Sequence, residues 1–348
     1  MKKLKNWVII FFGIVITLLV AVIILVVTVD PFFQYHKPIK GFPYIIDNQL
    51  SQNPGMAKHM EYDSIILGSS MTFNFETNWF FELYGLRTLK LSYSGAYARD
   101  QYNIMKLAFG SKNEIRKVYL GIDPVAYSSY VEDTKFPIPE YLYDENRIND
   151  ISYVLNKEVI LNYILKPIVS PEDKTDLSKV YKLWYTDPCY NRDLVLSGYE
   201  EPEQIEEEIP VWEFTERTMN NMEVNIIPFI RENPDTEFVV FFPPYSILFW
   251  HNMNRENRLE ATLRQFEVIT EELLGYDNVK LFLFTDQEDI ITDLDNYADY
   301  THYHSRVNYF MTECFGNDTC RLTRENLSVR IEKLREMALN YDYQGLLQ

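Results

Sequence analysis

Between Trp7 and Val29 the chain runs for 23 residues without a charged side chain, most of them Ile, Val, Leu and Phe. At about 1.5 Å per residue a helix of that length reaches roughly 35 Å, enough to cross a hydrocarbon layer of about 30 Å with some tilt. Helices buried in a soluble core seldom run this far without a polar group. A cleaved signal peptide has an apolar stretch of about 7–15 residues and then a small-x-small site. This run is longer, and Thr28-Val29-Asp30 offers no such site. The sequence therefore predicts an uncleaved single transmembrane helix, with residues 1–29 as cytoplasmic lysines plus anchor. Lys2, Lys3 and Lys5 precede it, so the N-terminus is expected in the cytoplasm and residues 30–348 outside the cell membrane. Those outer residues hold 30 basic and 51 acidic side chains, a net −21.

The outer part reads as globular. Across 348 residues 47% are hydrophobic and 24% charged, which excludes disordered and collagen-like classes. A net charge of −18, with no Lys/Arg cluster after the first five residues, argues against nucleic acid as a partner, because such binding needs phosphates neutralised. Three cysteines exclude a disulfide-built miniprotein. Cys314 and Cys320 flank five residues and either close a small disulfide loop in an oxidising compartment or stay reduced with Cys189. No spacing suggests zinc, and neither a metal nor a cofactor is expected.

Residues 30–60 carry Pro31, Pro38, Pro43 and Pro54 among aromatics and read as an extended membrane-proximal stalk. Residues 61–348 read as one extracytoplasmic domain. Short apolar runs at Ser64–Leu67, Thr88–Ser92, Val118–Ile122, Phe238–Phe242 and Val279–Phe284 are strand candidates. Helical stretches fall at Arg99–Phe109, Trp212–Glu232, Arg255–Leu274, Arg306–Met311 and Thr323–Asn340, and a further helix precedes Phe81. Residues 124–210 are Tyr-rich, acidic and partly helical near Ile148–Ile168. They are taken as an insertion or cap, with the Glu200–Glu208 charge run as a solvated face. Strands separated by helices predict an α/β fold with a parallel sheet covered on both faces, and functional residues in loops after the strand C-termini. No Gly-rich nucleotide-binding loop is present.

Two such loops carry reactive side chains. Gly68-Ser69-Ser70-Met71 follows the first outer strand, and a strand–Gly–x–Ser–helix turn exposes a hydroxyl beside backbone N–H groups. Asp295 to Ser305 follows the last strand and holds two of the five histidines, His302 and His304. Asp299 and His302 are three apart, close enough for the carboxylate to orient the imidazole that takes a serine proton. Asp293 or Asp295 could replace Asp299, His304 could replace His302, and Ser69 could replace Ser70. His36, His59 and His251 are isolated. Asp123 and Tyr245 follow the third and fourth strands and are candidate pocket residues.

The pair Gly68-Ser69-Ser70 and Asp299-x-x-His302 resembles the SGNH/GDSL hydrolase superfamily. The resemblance implies a flavodoxin-like, three-layer α/β/α domain with a central parallel sheet. It places Ser70 on the nucleophile, Asp299 and His302 on the rest of the triad, and Gly95 on the glycine whose N–H joins the oxyanion hole. The family's third block has an Asn where this chain has Asp123, in Gly121-Ile122-Asp123-Pro124. The anchor, Asn53-Pro54-Gly55-Met56-Ala57-Lys58, Tyr62–Thr72, Pro243-Pro244-Tyr245-Ser246 and Asn296–Tyr303 look like the membrane-anchored DltD-like and AlgJ/AlgX-like acyl-transfer branch of Gram-positive bacteria. That likeness implies a serine acyltransferase acting on hydroxyls of a cell-surface glycopolymer acceptor, by O-acetylation or D-alanylation. It also implies a membrane-bound O-acyltransferase as partner. The alternatives are a carbohydrate esterase with the same triad and a non-catalytic anchored glycan-assembly scaffold. The 26 tyrosines and five tryptophans could stack on sugar rings, but core packing and compositional drift are the favoured reading of them.

Overall fold

A computed structural model describes residues 2–183, 187–207 and 209–347. Its principal helices, in chain order, are α1 (Lys2–Val29), α2 (Gln49–His59), α3 (Thr77–Tyr84), α4 (Ala98–Phe109), α5 (Ile151–Val154), α6 (Val159–Val169), α7 (Val211–Asn221), α8 (Ile247–Arg255), α9 (Leu259–Leu273), α10 (Ser305–Asn317) and α11 (Leu327–Asn340). The strands are β1 (Ser64–Leu67), β2 (Thr88–Lys90), β3 (Lys117–Gly121), β4 (Glu237–Phe242), β5 (Val279–Leu283) and β6 (Arg321–Leu322). The chain forms two compact units. One is Met1–Met60 with Gly110–Lys112 and Ile138–Asp176; the other is Glu61–Phe109, Asn113–Pro137 and Leu177–Gln348.

In the first unit, α1 is long and apolar enough to cross a membrane, as an anchor or a signal sequence. Residues 30–60, expected as an extended stalk, instead fold around α2 together with part of the expected 124–210 cap. The Asp30 carboxylate organises the turn after α1, accepting from the N–H groups of Gln34 (2.9 Å), Tyr35 (2.7 Å) and His36 (3.0 Å) and from the Tyr153 hydroxyl (2.8 Å). Gln52 on α2 ties the same region together. Its Oε1 accepts from Asp47 and Asn48 N–H, and its Nε2 donates to the Pro31 and Ile45 carbonyls. Pro54 lies inside α2, where its missing N–H would leave the Leu50 carbonyl unpaired. The Tyr143 hydroxyl fills that gap, donating to Leu50 O at 3.0 Å.

Next to Pro54 the backbone of α2 touches the Phe32–Phe33 backbone. A Cβ on Gly55 would lie 1.9 Å from the Phe32 carbonyl oxygen and 2.6 Å from the Phe33 carbonyl carbon. Neither is a side chain that can swing away. Gly55→Ala is therefore expected to cost about 3 kcal/mol or more, at the upper end of overpacking penalties. Gly198→Ala, which meets nothing within 4 Å, is the control. Thermal unfolding of the full chain in detergent checks the pair, and equal midpoints would refute the close approach.

The second unit is an α/β domain on a six-stranded sheet in the order β2-β1-β3-β4-β5-β6. The first five strands are parallel, and the two-residue β6 pairs antiparallel at the β5 edge. Strands β1, β3 and β4 are buried almost end to end, as parallel strands covered on both faces must be. On one face Tyr119 meets Phe80 of α3 and Phe315 of α10. On the other Phe238 meets Phe109 of α4, and Phe242 meets Phe266 of α9. The order reverses between β1 and β3, which opens a crevice at their C-terminal ends.

Several boundaries differ from expectation. The helix expected over Trp212–Glu232 is interrupted by a π-helical turn, Met222–Ile226, two residues before Pro228, whose ring cannot continue an α-helical ladder. The helix expected over Arg255–Leu274 begins at Leu259, and α8 precedes it, with Asn257 between them in left-handed conformation. In the Glu200–Glu208 run, Glu208 lies outside the described residues. The described acids are exposed, but Glu201 also pairs with His251 and Arg255. Cys314 and Cys320 lie in side-chain contact as thiols and are not joined by a disulfide.

Candidate active site

The turn after β1 is built around Gly68. Its φ of +146° is a conformation that side chains avoid, and a Cβ there would sit 2.6 Å from Thr72 Cγ2. The chain then passes through extended Ser69 into a 3-10 turn, Ser70–Thr72. The two serines divide the work. Ser69 is buried and caps the turn, its Oγ accepting from Met71 N–H at 3.2 Å, while Thr72 donates back to the Ser69 carbonyl at 2.8 Å. Ser70 is half-buried, and its hydroxyl faces the loop after β5. Beneath the turn the fully buried Lys90 ammonium donates to the Phe73 and Phe75 carbonyls. Burial pulls this amine down to about 7.

That facing loop is a tight hairpin. Tyr297 and Tyr303 form a β-bridge, and Ala298 N–H donates to the His302 carbonyl at 2.9 Å. The Tyr303 hydroxyl donates to Met71 O, and Asn74 donates to Tyr303 O at 2.8 Å, so hairpin and serine turn are joined directly. At the tip, His302 Nε2 lies 2.9 Å from Ser70 Oγ, and His302 Nδ1 lies 2.7 Å from Asp299 Oδ2. Asp299 Oδ1 accepts from the N–H groups of Thr301 (2.7 Å) and His302 (2.8 Å) and from the Thr301 hydroxyl (2.9 Å). Burial alone would raise this carboxyl. The hydrogen bond and charge of His302, with the two N–H donors, outweigh burial and hold Asp299 well below the usual carboxylate range. An ionised Asp299 selects the Nδ1–H tautomer, which leaves Nε2 free to accept the Ser70 proton.

The alternative residues have other partners. Asp293 caps the turn Leu294–Asn296, and Asp295 accepts from Arg192 N–H at 2.8 Å. His304 caps α10 and faces Asp187 at 3.1 Å. His36 and His59 contact backbone carbonyls, and His251 contacts Glu201.

Ser70 and His302 open into a pocket of about 240 Å³ that Gly95, Asp123, Tyr245 and Lys135 also line. Gly95 has φ +64°, and the Lys135 stem lies over it, 3.0 Å from where a Cβ would be. Neither the Ser70 nor the Gly95 N–H has a hydrogen-bond partner among the described residues, so both donors are unspent at the pocket they line. Asp123 is 6% exposed. Its Oδ1 accepts from the Tyr245 hydroxyl, the carboxyl lies against Ser69, and Oδ2 is buried with no close hydrogen-bond partner among the described residues. Burial pushes the Asp123 carboxyl up, opposed most by that Tyr245 hydrogen bond. Burial likewise keeps Tyr245 neutral, well above the usual phenol range. Two larger depressions, around Arg264–Glu271 and around Glu201, His251 and Tyr343, contain no nucleophile paired with a base among the described residues.

The structure thus brings Ser70, His302, Asp299, Gly95, Asp123 and Tyr245 to one edge of the sheet. Thr301, Lys135 and Phe249 also belong to the site and carry no signal in the sequence beyond the proximity of Thr301 to the Asp-x-x-His spacing. Among the described residues, no group of three His, Cys, Asp or Glu is placed to hold a metal. Comparison of the chain with protein-family models, curated proteins and solved structures gave no match.

Proposed function

We propose that this chain is a membrane-anchored serine acyltransferase of the SGNH type, acting outside the cell on hydroxyls of a cell-surface glycopolymer. One observation carries the reading: the continuous Ser70–His302–Asp299 hydrogen-bond chain beside two unspent N–H donors. The sheet order 2-1-3-4-5, which is the flavodoxin-like order, supports the SGNH assignment. The pocket, about 240 Å³, is smaller than the roughly 300–1,000 Å³ of drug-sized sites and suits a short acyl group such as acetyl or alanyl.

In this reading Ser70 Oγ attacks the acyl carbonyl while its proton passes to His302 Nε2. The Ser70 and Gly95 N–H groups stabilise the tetrahedral oxyanion. Collapse expels the donor's leaving group, which takes the proton from His302. A sugar hydroxyl then attacks the acyl-serine, gives its proton to His302, and leaves as the ester when Ser70 recovers that proton. A membrane-bound O-acyltransferase is the expected source of acyl groups across the bilayer. Hydrolysis is the second reading, favoured by a His302 side chain that is 25% exposed, so that water can reach the acyl-enzyme.

The test is a fluorophosphonate serine probe applied to the full chain in detergent, with peptide mapping. Stoichiometric modification mapped to Ser70 is expected. A folded protein that stays unmodified would sink the triad reading.

Asp123 gives a further check. Its raised carboxyl stays protonated above the ordinary range, where an ionised group beside the pocket would oppose the oxyanion. Activity of the native protein should therefore fall as pH rises through the raised carboxyl value. Asp123→Asn, which keeps a donor and has nothing to ionise, should lack that fall. A variant inactive across the whole pH profile would show that the ionised carboxylate is needed.

A further inference from the structure

We infer that the exposed apolar faces of α5 and α6 are immersed in the membrane surface at the point where α1 leaves the bilayer. The inference rests on α1 being a membrane span. From Trp7 to Ala21 the helix is exposed on nearly all sides. Those 15 residues measure about 22 Å, roughly 8 Å less than the hydrocarbon they would have to cross, and tilt increases the shortfall. From Val22 onward one side of α1 is covered, and Val26 and Val29 are buried. The covering elements are α5 and α6 of the same compact unit. Spanning the bilayer draws about a turn and a half of α1 beyond Ala21 to hydrocarbon depth, and the elements packed on the end of the helix are brought to the membrane surface with it.

The side chains on α5 and α6 match that depth. Val154, Val159 and Ile164 face inward, while Ile151, Leu155, Leu161, Leu165 and Ile168 are 37–59% exposed. The outward residues are Ile151 and Leu155 on α5 and Leu161, Leu165 and Ile168 on α6, whose Val159–Leu165 portion is π-helical, and they give each helix an exposed apolar side. The exposed charges of this segment are Lys157, Glu158 and Lys166. The two lysines have stems long enough to reach headgroups, and in a chain of net −18 this stretch is not acidic. The end of α1 is also prepared for a medium without water. His36 Nε2 meets the Val27 carbonyl at 3.0 Å and the Tyr44 hydroxyl donates to the Val29 carbonyl at 2.7 Å. Immersion by about 5–10 Å is the depth at which interfacial helices lie.

The experiment uses the full chain in vesicles of phosphatidylcholine and phosphatidylglycerol. Single variants Leu161→Cys, Ile168→Cys and Leu18→Cys carry an environment-sensitive fluorophore, with the native protein labelled in parallel as the blank for Cys189, Cys314 and Cys320. Lipids brominated near the headgroup or near the chain end report depth. Expected are blue-shifted emission at all three positions, quenching of Leu161 and Ile168 labels mainly by the shallow lipids, and quenching of the Leu18 label by the deep ones. If the Leu18 label is quenched but the other two emit as in water, the immersed collar is overturned while the span stands, and the exposed apolar sides are left for a protein partner. If the Leu18 label is not quenched either, the span and the inference fall together.

Discussion

Ser70→Ala is expected to abolish acyl-serine formation and to lower turnover of a small activated ester by about 10⁶-fold, the scale seen when a triad nucleophile is removed. Only the Oγ atom is lost. Ser69 continues to cap the turn through its contact with Met71 N–H, so the Gly68–Thr72 geometry should survive the substitution. The residual rate would come from the Ser70 and Gly95 N–H donors, which belong to the backbone and remain. Turnover of the detergent-purified full chain, with intact mass to detect acyl-enzyme, decides the matter. Activity within tenfold of native would exclude Ser70 as nucleophile and return attention to Ser69, whose hydroxyl is already committed to the backbone.

Asp299→Asn is expected to slow the same reaction by about 10⁴-fold with little change in fold. The carboxamide can still accept from the Thr301 and His302 N–H groups, so the hairpin tip keeps its shape. What changes is the imidazole. With an amide at Oδ2, Nδ1 need no longer carry the proton, and the tautomer with Nε2–H cannot accept from Ser70. The loss should appear in kcat rather than KM, because Asp299 acts through His302 and not on the acyl group. A change confined to KM would make Asp299 a substrate contact.

The parallel strands were legible because each is a short apolar run bounded by Gly, Pro or polar turns, the mark of burial on both faces. The runs Ser64–Leu67 and Val279–Phe284 carry that mark without reference to their neighbours. The triad candidates were legible for a related reason: Gly68-x-Ser70 and Asp299-x-x-His302 are local spacings at strand ends. What stayed hidden depends on distant partners. Pro54 argued against a helix over Gln49–His59, and only Tyr143, some ninety residues away, completes that helix. The two-residue β6 has no periodicity to read. Lys135 comes from a Tyr-rich stretch without any motif and reaches the pocket solely through the fold. The sequence showed Asp123 in place of an Asn, but not that its carboxyl would be buried against Tyr245.

The capped exit of α1 bears on how the protein can be handled. Val26 and Asp30 are fully buried and Val29 nearly so. A soluble fragment beginning at residue 30 would strip the cover from α5 and α6 and uncouple Asp30 from its position at the helix end. The C-terminal end of α1 is thus a piece of the first unit's own core. Solubilisation by truncation should yield aggregates, whereas exchanging only the first twenty residues for another apolar helix should leave the unit intact.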